Sequence, residues 1–570
     1  MRYFALACDF DGTIAWNGLV SEETIAALEQ VRNSGRKLIL VTGRELDDLA
    51  EVFPRLDLFE RVVAENGALL YRPASREMKC LVSSPSEDFV ALLEQRGVAP
   101  ISVGRGIVAT WTPHEKTVLE TIRDLGLEMQ VIFNKGAVMV LPSGVNKASG
   151  LSAALNELGL SPHNVVGIGD AENDHAFLNL CECAVAVANG LPKVKETADW
   201  VTQADHGDGV IELIDRLLAS DLRELEPRLT RHEILLGMQK DKQELHLKPY
   251  GVNFLIAGTS GGGKSTLATG FLERLAEHEY QFCIIDPEGD YQNLEEAVVL
   301  GDSKNTPTVH EVIQLLEQPH QNAVVNLLGI ALEHRPQFFN ELFPALLELR
   351  ARTGRPHWLV IDETHHLLPA SWAPSPVTLP HELQGLVLIT VHPNHVAPAI
   401  LDAVDLILAI GEAPDQTIRL FGETIGEKVP PVPTVKLQPG EAIAWLRRSD
   451  IKPFWFRSVP PRREHQRHLR KYAEGEMTDD RVFYFRGPKD KLNLRAQNLM
   501  MFMQIADGVD DETWLYHLRR GDYSNWFRRS VNDEELAAET ETIEHMKGIS
   551  PQESRRLINE KIQARYTAPD

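Results

Sequence analysis

Cysteine is scarce and scattered, five residues in a chain of 570, and an odd number of this kind makes no disulfide framework. The only close pair, Cys181 and Cys183, has no second pair of metal-ligand residues beside it, so packing is the better reading. Long apolar runs are missing too: nothing approaches the roughly 20 residues that a bilayer-spanning helix needs. The opening Met1–Phe10 has one arginine and a short apolar stretch that stops at Asp9, which fails as a secretion signal. A cytoplasmic protein with no membrane partner is therefore expected. Basic residues are in deficit, 58 Lys and Arg against 82 Asp and Glu, for a formal net charge of −24. That balance favours solubility and argues against a broad surface for non-specific nucleic-acid binding, although a local basic groove or the pore of a ring stays open. Internal repeats and low-complexity tracts are absent as well.

What remains is ordinary globular material, 43% hydrophobic and 25% charged. A chain this long predicts three or four domains of about 150 residues each. In the first third, short apolar strands alternate with amphipathic helices: Tyr3–Cys8, a helix capped by Ser21 with Ile25, Leu28 and Val31 on one face, then Lys37–Val41, Val165–Ile168 and Ala184–Val187. The rhythm predicts a doubly wound parallel sheet over 1–205, with an inserted cap at about 71–139. A charged helical linker at 206–230 leads to a second βα series over 231–460, with strands predicted at Phe254–Ala257, Phe282–Ile285, Val324–Leu327, Trp358–Ile361, Leu386–Thr390 and Leu406–Ala409. Beyond Pro460-Pro461, strands become scarce, and 461–570 reads as a mostly helical accessory region.

Four acidic or phosphate-friendly motifs fall at strand ends or helix starts of the first third. They are Asp9-Phe10-Asp11-Gly12-Thr13, Thr42-Gly43-Arg44, Asn146-Lys147 and Gly169-Asp170-Ala171-Glu172-Asn173-Asp174. Open α/β sheets build their sites at such carboxyl ends. With Ala64-Glu65-Asn66-Gly67-Ala68, Leu141–Lys147 and Ala186–Gly190, the set resembles the haloacid dehalogenase (HAD) superfamily, in particular its Cof-type, subclass IIB-like phosphatases, over about Arg2 to Thr202. That resemblance implies a Rossmannoid α/β domain with a small cap. It also implies Asp9 as nucleophile, Asp11 as acid and base, Thr42 and Lys147 as phosphoryl-binding groups, and Mg²⁺ held by Asp9, the Asp11 carbonyl and Asp170, with Asp174 positioning the site. Clustered carboxylates independently call for a cation, since two like charges about 4 Å apart cost roughly 4 kcal/mol at an effective dielectric near 20. Hard oxygen ligands select Mg²⁺.

The second third contains Gly258-Thr259-Ser260-Gly261-Gly262-Gly263-Lys264-Ser265, a full G-x-x-x-x-G-K-[ST] motif between a strand and a helix that opens with Thr266. Its glycine amides would wrap ATP phosphates, with Lys264 at the β/γ-phosphates and Ser265 on Mg²⁺. Asp362 and Glu363 end the expected partner strand, one for the metal shell and one to polarise the attacking water. Asp286–Tyr291, Asp362–Pro369, Thr390-Val391-His392-Pro393 and Leu437–Gly440 make this region similar to the HerA–FtsK group of P-loop ATPases, a RecA-like α/β domain. The similarity implies a homo-oligomeric, usually hexameric ring, an arginine supplied in trans, with Arg350, Arg352, Arg355 and Arg419 as candidates, and DNA as a partner left open. His392 stands where the group more often has a Gln-Arg type sensor; His365 and His366 read as helix-surface or packed residues. In the last region, the aromatic and arginine mixture Trp514–Arg529 reads as a helical core in preference to a base-stacking surface.

Two functions follow. One is a bifunctional hydrolase of a small phosphoester and of ATP. The other is a nucleic-acid motor of repair or defence whose phosphatase acts on nucleotides or strand ends. A nucleotide-gated scaffold with little turnover is a weaker third.

Overall fold

The computed structural model describes the chain apart from residues 135, 260–261, 373–383, 463–481, 489–490, 532 and 567–570. Two compact units are present, Met1–Val459 and Pro460–Asp570.

The first unit contains two large sheets. Strands β1 (Ala5–Cys8), β2 (Lys37–Val41), β3 (Arg61–Ala64), β4 (Leu69–Arg72) and β5 (Glu77–Cys80) are followed by cap strands β6 (Ser102–Val103), β7 (Val108–Trp111), β8 (Met129–Asn134) and β9 (Ala137–Pro142), then by β10 (Val165–Gly169), β11 (Cys183–Ala186) and β12 (Trp200–Val201). Among the described residues, the first sheet has the order β12-β11-β10-β1-β2-β3-β4-β5, parallel as far as β3 and antiparallel beyond it. Runs such as Leu-Ile-Leu-Val in β2 are continuously apolar because helices cover both faces. On one face, Leu28 and Val31 of helix Glu22–Asn33 pack with Val210, Leu213 and Leu217 of helix His206–Ser220. Much of the stretch expected as a linker, 206–230, is thus structural core of the first sheet. On the other face lie Leu151 and Leu155 of helix Lys147–Leu158 and Phe177 of helix His175–Leu180.

The cap is a separate antiparallel sheet, β6-β7-β9-β8. Strand β9 shows the two-residue period of a half-covered strand: Val138 and Val140 pack on the cap helices Glu87–Gln95 and Glu115–Asp124, while Met139 and Leu141 face Ala68 and Ile107. Residues 71–80, placed in the cap by the sequence pattern, instead complete β4 and form β5, which extend the first sheet. Their alternation is weak in β5, which is exposed along its length.

Eleven strands form the second sheet among the described residues. They are β13 (Ile234–Gln239), β14 (Glu244–Leu247), β15 (Phe254–Gly258), β16 (Phe282–Asp286), β17 (Val298–Leu300), β18 (Ala323–Asn326), β19 (Trp358–Ile361), β20 (Leu386–Thr390), β21 (Leu406–Ile410), β22 (Glu441–Leu446) and β23 (Phe454–Ser458). Their order is β14-β13-β23-β22-β21-β15-β20-β19-β16-β18-β17, with β21 through β17 parallel. The antiparallel edge β22, β23, β13 and β14 was not anticipated, because neither βα spacing nor a tight two-residue turn announces it.

The two α/β domains meet in a buried polar joint. Glu182 accepts from Arg2 Nη2 at 2.5 Å, from the Tyr280 hydroxyl at 2.7 Å and faces His163 Nδ1 at 2.8 Å. The His163 ring stacks on Tyr280 with centroids 3.6 Å apart, and its Nε2 lies 2.6 Å from the His278 carbonyl. Arg355, fully buried, donates to the Gly159 carbonyl at 2.6 Å. His163, Glu182 and His232 are close enough to share a metal ion, but the Arg2 guanidinium already neutralises Glu182.

Among its described residues the second unit is mostly helical, with helices Leu499–Gly508, Asp511–Arg520, Asp522–Trp526, Glu534–Glu544 and Pro551–Tyr566 beside the small antiparallel pair Phe483–Phe485 and Leu494–Ala496. Trp514, Tyr523, Trp526 and Phe527 are buried in its core with Phe502, as the packing reading expected.

Candidate active sites

Strand β1 delivers Asp9 to the carboxyl end of the first sheet, where it is 4% exposed. Asp170 arrives in the same way from β10. Lys147 is the first residue of helix Lys147–Leu158, whose start is fixed by Asn146, a cap accepting from the Ala148 and Ser149 amides. The helix start comes in close because residue 67 is glycine: a Cβ there would sit 2.0 Å from the Asn146 carbonyl oxygen, and its φ is +101°.

These elements converge. Lys147 Nζ bridges Asp9 Oδ1 at 2.5 Å and Asp174 Oδ1 at 2.6 Å. Asp174 Oδ2 accepts the backbone amides of Asp170 and Ala171, both at 2.9 Å. Thr13 Oγ1 reaches Asp9 Oδ2 at 3.1 Å and Asp170 Oδ1 at 3.4 Å. Thr42, fully buried after β2, accepts from the Arg44 amide at 3.1 Å. Burial, and then Asp174, push the Asp9 carboxyl up to about 8 against the opposing pull of Lys147, while Asp170 adds to the rise. Burial works against the charge on Lys147, but Asp174 and Asp9 outweigh it and hold its ammonium above the ordinary value. Asp9, Asp170 and Asp174 each offer an oxygen within 4.8 Å of the others. Three buried acids against one lysine leave an excess of negative charge, and an all-oxygen donor set suits Mg²⁺. Asp174 has both oxygens occupied by protein donors, which fits a group that orients the site more than one that ligates.

Asp11 turns away from Asp9 to Arg44: its Oδ2 and Oδ1 accept from Arg44 Nε and Nη2, each at 2.7 Å. Both residues line a cavity of about 510 Å³ between the carboxylate floor and the cap wall of Ile101, Thr110, Trp111, Asn134 and Met139. Glu65 ties the cap to the floor, accepting the Arg105 and Gly106 amides at 3.1 and 2.8 Å.

At the second sheet, Gly258 and Gly263 flank the phosphate-type loop with φ of 154° and 97°. A Cβ on Gly258 would lie 2.1 Å from the Ile410 carbonyl oxygen. Ser260 and Gly261 lie outside the described residues. The Gly262 amide donates to the Thr259 carbonyl at 3.0 Å, and Lys264 Nζ folds back to the Gly258 carbonyl at 3.3 Å. Thr266 follows in the first turn of helix Lys264–Glu277. Ser265 Oγ donates to Asp290 Oδ2 at 3.2 Å. Asp290 is presented by a loop anchored on Asp286, which accepts the Gly289, Asp290 and Tyr291 amides at 2.8, 3.1 and 2.9 Å. Burial, opposed by those amides, raises Asp286 to about 6. Asp362 follows β19 and is raised well above its usual range by burial, then by Asp286 and Glu363. Glu363, with φ of 38°, is raised by burial and lowered by Lys264.

Comparison with known proteins finds relatives for both α/β domains. The model of haloacid dehalogenase-like hydrolases matches residues 6–104 and 108–214, and that of the HerA helicase central domain matches 244–352. A phosphoglycolate phosphatase of Methanothermobacter thermautotrophicus is 33% identical over 223 residues, 38% of this chain and 98% of that protein. A second, phosphoglycolate phosphatase 2 of Saccharolobus solfataricus, is 27% identical over 38% of this chain and 93% of its own length. A solved haloacid dehalogenase-like hydrolase of Bacteroides thetaiotaomicron, 19% identical, aligns over 38% of this chain and 100% of its own with a TM-score of 0.34.

The chain belongs to the haloacid dehalogenase-like hydrolases. This HAD hydrolase is fused to a HerA-type ATPase domain. Of the four arginines considered for a ring, Arg350 is bound to the Pro356 and Gln384 carbonyls and Arg355 is buried, so both serve the fold. Arg352 and Arg419 are exposed, paired with Glu317 and Asp415. His365 lies 3.1 Å from the Thr390 hydroxyl and 3.3 Å from Glu363 Oε2; burial, then His366, His392 and His395, push it down to about 4. It packs as a neutral ring, with no metal-ligating group formed there among the described residues. Arg44 and the cap residues of the cavity were missed as functional candidates. Arg44 was visible in its motif, whereas Asn134 and Trp111 sit on strands with no local signature.

Proposed function

We propose that this chain is a bifunctional enzyme, a Mg²⁺-dependent phosphomonoester hydrolase and an ATP hydrolase in one polypeptide. The Asp9–Lys147–Asp174 cluster beneath the capped cavity carries the first half. Asp9 attacks phosphorus, the bond to the leaving oxygen breaks, and Asp11 delivers a proton to that oxygen. Water then attacks the aspartyl-phosphate phosphorus, gives its proton to Asp11, and leaves inorganic phosphate and free Asp9. Thr42 and Lys147 hold the phosphoryl oxygens as charge builds. Asp9, Asp170 and the Asp11 backbone carbonyl would hold Mg²⁺, which supplies Lewis-acid neutralisation of phosphate charge. Two relatives named as phosphoglycolate phosphatases support a short phosphorylated acid as substrate.

For the second half, residues Gly258–Thr266 would bind the ATP phosphates, Asp362 and Ser265 would hold the accompanying Mg²⁺, and Glu363 would orient the attacking water. Exchanging Asp9→Asn abolishes phosphoglycolate hydrolysis and leaves ATPase turnover largely intact; Lys264→Ala does the reverse. Unchanged phosphate release by Asp9→Asn would remove the nucleophile assignment. The buried free thiols of Cys8, Cys181, Cys183 and Cys283 support a reducing cytoplasm.

A second reading, a ring-forming nucleic-acid translocase, rests on the HerA central-domain match. It requires an arginine in trans, for which Arg352 and Arg419 are the exposed candidates. ATPase rates with and without duplex and single-stranded DNA at low salt decide it: stimulation supports a motor, and equal rates count against one.

A further inference from the structure

Two cations reach the phosphatase cavity from its floor, and they are used differently. Lys147 is 2% exposed and enclosed by Asp9 and Asp174. Arg44 is 24% exposed and lies along the cavity wall. Its guanidinium makes three carboxylate contacts: Nε and Nη2 to Asp11, and Nη1 to Asp48 Oδ2 at 2.7 Å. The two bonds to Asp11 are the parallel fork by which arginine recognises a planar carboxylate.

This grip conflicts with catalysis as read above. Asp11 has both oxygens on the Arg44 fork, yet must present one to the leaving-group oxygen. Turning Asp11 alone would leave Arg44 with Asp48 on Nη1 and with Nε and Nη2 unfilled, facing an apolar cap wall of Ile101, Ile107, Ala109 and Met139. A second planar carboxylate taking the vacated fork removes that cost. Glu45 accepts the Ser102 hydroxyl, and the Thr110 hydroxyl donates to the Pro100 carbonyl at 2.7 Å, so these cavity groups are engaged. Asn134, at the end of β8, differs: its Oδ1 is buried without a hydrogen-bond partner. The cavity wall thus offers a carboxylate-shaped fork above the floor, whereas the unpaired cap atom is an acceptor, suited to a donor and not to a carboxylate.

We propose that Arg44 is the specificity-determining residue of the phosphatase, exchanging Asp11 for the carboxylate of a phosphorylated short hydroxy acid. This rests on the phosphatase reading and narrows it: the substrate's own carboxylate frees Asp11. An ester whose leaving group has no carboxylate must free Asp11 without that exchange and turns over poorly.

The test compares phosphoglycolate with 2-hydroxyethyl phosphate, similar in size but lacking the carboxylate, on the full chain with Mg²⁺. Wild type favours phosphoglycolate in kcat/KM by about ten- to a hundredfold, the scale of hydrogen bonds to a charged group. Arg44→Met collapses that preference, chiefly through a raised KM for phosphoglycolate, and Arg44→Lys, which keeps charge without the fork, restores part of it. Equal use of both esters by wild type, or an equal loss on both esters in Arg44→Met, overturns the proposal while leaving the phosphatase standing. Failure of wild type to hydrolyse either ester overturns the phosphatase reading itself, a separate result.

Discussion

At the scale of single residues, the phosphatase floor is an excess of acid held together by one ammonium. Lys147 contacts two buried carboxylates. Exchange to methionine keeps the volume of the stem and removes the charge, leaving Asp9 and Asp174 facing each other. The expected outcome is loss of phosphoester hydrolysis together with a drop of about 3–5 kcal/mol in unfolding free energy, the usual effect of breaking a buried pair. Urea titration of the metal-free protein checks it, and added Mg²⁺ recovers part of the stability but not the turnover. That Asp9, Asp11, Thr42, Lys147 and Asp170 lie at one edge of the first sheet was legible because each follows a predicted strand or opens a predicted helix. Arg44 and Asn134 were not, since which carboxylate an arginine grips, and which cap carbonyl is left unpaired, depend on tertiary contacts, such as that of Arg44 with Asp11 33 residues before it.

At the scale of elements, catalytic geometry depends on how closely helix Lys147–Leu158 approaches strand β3. Gly67 and Gly150 are in mutual contact there: a Cβ on Gly150 would lie 2.6 Å from the Gly67 Cα and 2.4 Å from Val63 Cγ1. Gly67→Ala therefore displaces the helix start and Lys147 with it, and phosphatase activity falls steeply while ATPase activity holds. Gly144, also at positive φ but with open space around it, is the control: Gly144→Ala costs about 1–2 kcal/mol of backbone strain and retains more phosphatase activity than Gly67→Ala. Thermal melting and phosphate release on both variants test the contrast. Strand and helix order in both α/β domains was readable from periodicity, since parallel strands buried on both faces are continuous apolar runs. The cap boundary and the antiparallel edge of the second sheet were not: the partners of β4 and β5 are fixed only by tertiary pairing.

At the scale of the molecule, the two α/β domains are joined through a carboxylate. Burial on its own would raise the Glu182 carboxyl, but His163, Arg2 and His232 outweigh it and hold it far below the ordinary 4.5. A depressed carboxylate stabilises the fold above its unfolded pKa, and that contribution is lost as pH falls through the folded value. Glu182→Gln should therefore destabilise strongly at pH 7, by about 3–5 kcal/mol, and the gap from wild type should narrow as pH drops from about 5 towards 3. Urea midpoints of both proteins across that range test the sign; a gap that widens in acid would refute it. No helix among the described residues is long and apolar enough to cross a membrane.

The same joint constrains heredity. Either catalytic floor is free to drift on its own, but a change at His163 or Glu182 alters the seat of Tyr280 on the opposite domain. Substitutions at these three positions should travel together through descent, so that exchanging one domain for a distant cousin's fails unless the neighbouring surface is transplanted with it.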